Sequence, residues 1–144
     1  MNSEENPLIK QIVSLAYTVA DEQPELLDTV LTDQVLIWAA EDLGHQMSVY
    51  SKLYITNRSR LCYPFEYESK KELVEQAIIA YTHTLLVYYK KYKIFSELLS
   101  SRNIEVKLEI DPIIVEQLLI DEKLIAPIGP LAQPSNNTAE KVIL

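Results

Sequence analysis

The sequence predicts a mainly α-helical fold, a helical bundle organised around one long central helix, and three observations carry that prediction. From Ser69 to Arg102 the apolar residues Val74, Ile78, Tyr81, Leu85, Tyr88, Tyr92, Phe95 and Leu99 recur in steps of four and three, which keeps one stripe on one helix face. The chain of 144 residues holds only two glycines, Gly44 and Gly129, too few for the tight turns of an all-β sandwich or barrel. Hydrophobic residues make up 48% and charged ones 24%, enough apolar surface to fill a core and too much for a disordered chain. The length suits a single domain with its own core, here residues 1–126, followed by an extended C-terminal arm at 127–144.

Taken in order, Pro7 opens a short amphipathic helix through Ile9, Ile12, Val13, Ala16, Tyr17 and Ala20, and Asp21-Glu-Gln-Pro24 ends it. A second helical segment begins near Pro24. It is recapped at Thr32 and continues to about Tyr54, with Leu36, Ala39, Ala40, Leu43, Met47, Tyr50 and Tyr54 on one face and Trp38 beside that stripe as a partly buried core residue. Residues 55–68 read as a connection rather than a helix. Leu61, Tyr63, Phe65 and Tyr67 alternate as in a strand, and Pro64 confines such a strand to an edge or a bulge. Ser69 and Glu72 then have the spacing of a capping box for the long helix. At ~1.5 Å per residue that helix runs about 50 Å, longer than a compact domain of this size is wide, so part of it is expected to project or to meet another subunit. Ile104-Glu-Val-Lys-Leu-Glu-Ile110 alternates apolar and charged residues throughout and is the clearest strand pattern in the chain. Its partner is expected to be 61–67 or another chain, because a lone strand leaves its backbone unpaired. Asp111-Pro112 caps a last short helix to about Glu122 with Ile114, Val115, Leu118 and Leu119 as its apolar face. Beyond it, Pro127, Gly129, Pro130 and Pro134 interrupt regular structure before the apolar Val142-Ile-Leu144.

The formal net charge is −8, which disfavours general affinity for a polyanion, but the charge is unevenly spread. Residues 1–48 hold nine acids and one lysine, 49–102 nine bases and five acids, and 103–144 seven acids and three bases. Solvated faces with local ion pairs account for this pattern. A head-to-tail oligomer, in which the acidic part of one copy meets the basic part of the next, accounts for it as well. The lone Cys62 excludes an intrachain disulfide and a cysteine-rich zinc site, and points to a reducing compartment. Asn57-Arg-Ser59 and Asn136-Asn-Thr138 match the glycosylation sequon, but the sequence opens Met1-Asn-Ser-Glu-Glu without an apolar signal segment, so they read as chance matches. No apolar run approaches the ~20 residues needed to cross a membrane, so the protein is expected to be soluble.

No catalytic motif stands out, and the chain does not read as an enzyme. Asp42-x-x-His45 together with Glu72, Glu75 and His83 falls short of a di-iron bundle site, which needs Glu-x-x-His on two helices and two further glutamates. No metal and no cofactor is expected. Cys62 lacks the surroundings of a nucleophile. Arg58 and Arg60 read as solvated loop charges rather than phosphate contacts. Lys90, Lys91 and Lys93 stand among Tyr88, Tyr89 and Tyr92, a mixture that also suits single-stranded nucleic acid, but Tyr88 and Tyr92 belong to the buried stripe.

Leu36-Ile-Trp-Ala-Ala-Glu-Asp-Leu43 through Tyr50, followed by Leu73-Val-Glu-Gln-Ala-Ile-Ile79 through Tyr88-Tyr89, resembles the head-to-tail connector, or head-completion, proteins of long-tailed bacteriophages over residues 26–95. The resemblance implies a homo-oligomeric ring in the neck of the virion, commonly dodecameric. Such a ring docks beneath the portal, contacts tail or neck proteins through extended arms, and lets DNA pass through its lumen without sequence-specific binding. Two alternatives come from other classes: a small helical subunit of a nucleic-acid-processing complex, like the small subunits of CRISPR effector assemblies, and a metal-binding helical bundle. Outside a virion the protein is expected in the cytoplasm. The expected subunit contacts are Ile104, Val106, Leu108 and Ile110 of the strand and Val142, Ile143 and Leu144 of the arm.

Overall fold

The computed structural model describes residues 6–126. Five α-helices account for most of it: α1 (Pro7–Glu22), α2 (Leu27–Val30), α3 (Asp33–Arg60), α4 (Glu68–Ser101) and α5 (Pro112–Asp121), with a single 3-10 turn at Pro24–Leu26. The arm at 127–144, with Val142, Ile143 and Leu144, lies outside the described residues.

The frame is an antiparallel hairpin of α3 and α4, of 28 and 34 residues, or about 42 and 51 Å. The α4 stripe forms as its spacing requires. Val74, Ile78, Leu85, Phe95 and Leu99 are buried, Tyr81, Tyr88 and Tyr92 half-buried, and Thr82 and Tyr89 join the buried face. On α3 the expected face is buried from Leu36 to Tyr54, with Tyr50 half-buried, and Trp38 packs half-buried against the first core cluster. That cluster joins Ile9, Val13, Ala16 and Ala20 of α1 to Leu36, Ala39, Leu43, Phe95 and Leu99. A second joins Val115 and Leu119 of α5 to Met47, Leu85 and Tyr89. On α5, Ile114 faces outward at 50% exposure, so the buried face is narrower than its sequence suggests.

Caps explain most of the boundaries. Asn6 caps α1, its side-chain oxygen accepting from the Leu8 N–H at 2.9 Å. Thr32 caps α3 through the Val35 N–H, and Asp111 caps α5 through the Ile113 N–H at 3.0 Å, both as the sequence indicates. The capping box at Ser69 and Glu72 does not form. The N-cap position of α4 is Tyr67, whose side chain makes no cap bond, and Ser69 already lies inside the first turn.

Both expected strands require correction, since no strand occurs among the described residues. The second helical segment divides into the 3-10 turn, α2 and α3, and α3 runs past Tyr54 to Arg60, with no glycine or proline among residues 55–60 to stop it. Within this extension the Asn57 amide donates to the Leu53 carbonyl at 2.8 Å. The chain then turns at 61–63 ahead of Pro64, which bars Tyr63 from continuing the helix. Leu61 and Phe65 are half-buried against Tyr54, Val74 and Ile78, whereas Tyr63 and Tyr67 are 71% and 56% exposed. Residues 104–108 continue without helix or turn, the chain bends at 109–110, and the backbone of 105–110 pairs with no other backbone in the described chain.

Candidate interaction surface

The 104–110 strip starts from the way α4 ends. Asn103 takes a left-handed φ of 59°, its N–H donates to the Ser100 carbonyl at 3.0 Å, and the Ile104 N–H donates to the Leu99 carbonyl at 2.9 Å. This is a Schellman ending, in which one left-handed residue satisfies the last carbonyls and turns the chain away from the helix axis. From there the alternation of the sequence becomes an alternation in space. Ile104, Val106, Leu108 and Ile110 are half-buried against the helices, while Glu105, Lys107 and Glu109 point to solvent.

Gly44 fixes the height at which the strip lies. A Cβ on Gly44 would stand 2.9 Å from Leu108 Cδ2 and 3.2 Å from Leu108 Cβ, so the missing side chain is what admits Leu108 to the surface of α3. Glu109 is tied to the same helix by His45 Nδ1 at 2.8 Å. The four strip residues expected as subunit contacts are thus half-buried against the helices of their own chain. What remains open is the backbone: among the described residues, no backbone N–H or C=O of 105–110 is hydrogen-bonded to another backbone group. Along the strip runs a groove of about 290 Å³, bounded by Val106 and Leu108 on one side and by Tyr92, Ser96 and Ser100 of α4 on the other, with Ala40 also lining it.

The polar residues considered for chemistry are dispersed or engaged elsewhere. Asp42 accepts the Tyr17 hydroxyl, His45 faces Glu109, and His83 Nδ1 lies 2.8 Å from its own helix's Ile79 carbonyl. No group of three His, Cys, Asp or Glu side chains is placed to hold a metal among the described residues. Cys62 is exposed at the hairpin tip. In the basic stretch Lys91 pairs with Asp21 at 3.1 Å and sits over the Tyr17 ring, leaving Lys90 and Lys93 exposed, and Tyr89 is buried with its hydroxyl donating to Glu116. Arg58 lies 3.7 Å from Glu122, and Arg60 lies over the Phe65 ring.

The acidic N-terminal block is neutralised in part within its own chain. Arg102 reaches from the end of α4 to the Asp28 and Asp33 carboxylates at 2.8 and 2.6 Å and to the Asp28 carbonyl at 2.8 Å. Its guanidinium pKa is raised by the hydrogen bond to Asp28 first and the one to Asp33 second. Three buried or half-buried tyrosines act similarly between elements: Tyr17 to Asp42, Tyr89 to Glu116, and Tyr54 to Glu122. Burial, then the hydrogen bond to Glu122, pushes Tyr54 up to about 12, while burial followed by the hydrogen bond to Asp42 raises Tyr17 and burial followed by the one to Glu116 raises Tyr89. Sequence periodicity placed Tyr17 and Tyr54 on core faces, left Tyr89 off the stripe, and gave no sign of the three partners, which lie 25 to 68 residues away.

The chain matches no protein-family model, no curated protein and no solved structure. No described helix is long and apolar enough to cross a membrane.

Proposed function

We propose that the protein is a structural subunit of a multiprotein assembly, with a head-to-tail connector ring beneath a phage portal as its specific form. The observation that carries the reading is the non-helical strip at 105–110, whose backbone groups lack backbone partners beside an open groove. An extended segment anchored by one face and open at an edge is a template for strand addition, and main-chain hydrogen bonds across that edge give affinity without a deep pocket. The in-chain pairing of Asp21, Asp28 and Asp33 transfers the weight of assembly from charge attraction to this strip. The resemblance over residues 26–95 supplies the connector form, in which DNA passes through the ring.

Native mass measurement on the full chain, at the concentration found in its own lysate and after purification, tests the reading. We expect species at multiples of 16.5 kDa, or a stable complex with another virion component. A protein that remains a 16.5 kDa monomer in both settings overturns it.

A further inference from the structure

We infer that the groove beside the 104–110 strip is the acceptor for residues 138–144 of a neighbouring copy, added as an antiparallel strand. The choice of a neighbour over the same chain rests on the assembly reading above; the pairing itself rests on the strip. Its inner face is already occupied by its own Val106 and Leu108 on the helices, so what the site lacks is a ladder partner, and the ligand that supplies one is extended backbone rather than a helix or a small molecule. The opposite wall carries Tyr92 together with the small Ser96 and Ser100, and the two serines leave room beside the strip for an incoming strand.

The sequence contains one stretch suited to that role. Pro127, Pro130 and Pro134 cannot donate to a ladder, whereas Thr138-Ala-Glu-Lys-Val-Ile-Leu144 has neither proline nor glycine. In an antiparallel register with Leu144 opposite Val106 and Val142 opposite Leu108, both apolar pairs face the helices and Lys141 falls opposite Glu109 on the outer row. Self-pairing of two strips is the competing occupant. Centred on Lys107, it sets Lys107 against Lys107 and Glu105 against Glu109, and the slip of register that relieves this repulsion shortens the ladder. Strip and arm are different surfaces of one chain, so their contact is heterologous, and repetition closes a ring or extends a filament.

The test uses the full-length chain with Cys62→Ser, so that the native thiol is gone, together with Lys107→Cys and Ile143→Cys, which face each other on the outer row of that register. Under mild oxidation we expect a ladder of covalent multimers, at least tenfold more abundant than in a control carrying Lys107→Cys and Ser135→Cys. Lys107→Pro, in the Cys62→Ser chain, removes one donor from the strip while sparing its apolar face, and is expected to lower the multimer fraction by native mass at least tenfold. A cross-linked product that keeps the mass of one chain means that the arm folds back on itself and overturns the inference, as does a yield equal to the control. Multimers in the Cys62→Ser parent without the cross-link sink the strand pairing alone. A monomeric parent with no cross-link sinks the assembly reading too.

Discussion

The two ends of the α3–α4 hairpin are built to different depths. Where α3 begins and α4 finishes, α1 lays four buried residues against both helices, and Lys91 and Arg102 bind the flanking acids from outside. At the tip only Tyr54, Val74 and Ile78 form a buried cluster, partly covered by Leu61, Phe65 and Leu118, while Tyr63, Tyr67 and Leu73 stand 56–71% exposed. Two helices side by side bury one stripe each; a deep core needs a third element, which α1 supplies at one end and α5 in the middle. Stability is therefore graded along the same pair of helices, and local opening is expected to start from the tip.

The largest test of that gradient compares two core truncations. Leu85 is fully buried between α3 and α5, so Leu85→Ala should cost ~2–5 kcal/mol in chemical denaturation. Ile78, in the thin cluster, should fall at or below the lower end of that range, because its surroundings can collapse into the space. Equal losses at the two positions would remove the gradient. Alkaline titration addresses the same contrast through the tyrosines. Tyr54 has its folded pKa raised from 10.0 to about 12, so its contribution is fully present below pH 10 and is lost as pH rises through about 12. Tyr17, in the deep end, is raised further and titrates later. Stability should fall between pH 10 and 12 with the tip loosening first, and Tyr54→Phe should flatten that part of the curve; stability that increases across this window contradicts the assignment.

How much of this was legible in the sequence depended on whether local pattern or a distant partner set the outcome. The helical periodicity located the α3 and α4 faces, and Thr32 and Asp111 announced their helices, because each is decided within a few residues. Residues 61–67 and 104–110 share an alternating pattern and diverge. At 104–110 charges separate the apolar residues, so each inward side chain has an outward one that needs water, and the segment stays extended. At 61–67 the inward residues are Leu61 and Phe65, four apart, and the intervening Tyr63 is exposed. Burial there follows a turn, with Cys62 and Tyr63 donating to the Ser59 and Arg60 carbonyls. In the sequence Gly44 counts only as one of two glycines, too few for the turns of an all-β fold, yet in the structure it admits Leu108, 64 residues later in the chain. That kind of contact leaves no local trace. The same limit holds at Ile104, Val106, Leu108 and Ile110, since alternation tells which side chains turn inward but not whose core they enter.

A smaller effect comes from the two helix endings that share one geometry. At the end of α4 the left-handed residue is Asn103, a type that tolerates it; at the end of α5 it is Lys123, with φ 63°. The Lys123 and Leu124 N–H groups close the same pattern of hydrogen bonds on Ile120 and Leu119. Lys123→Gly relieves the Cβ and should raise stability by up to about 1 kcal/mol, with Asn103→Gly giving less. A loss at Lys123 by thermal denaturation would mean that its side chain holds α5 in place.

The smallest expected change falls at the tip, where a cap was indicated and none formed. Ser69 lies within the first turn of α4 and its hydroxyl makes no cap bond, so Ser69→Ala should alter stability by no more than ~0.5 kcal/mol. Tyr67 occupies the N-cap with a side chain that accepts nothing and lies 5.7 Å, ring centroid to Nζ, from Lys70. Tyr67→Asp places an acceptor over the free N–H groups and a negative charge at the positive end of the helix, and should gain about 1 kcal/mol. The two substitutions separate two possible starts of the helix. If Ser69→Ala costs 1 kcal/mol or more and Tyr67→Asp gains nothing, the Ser69 capping box forms in solution and α4 begins after it. The tip would then be closed by a local cap rather than left as the weakly held end of the hairpin.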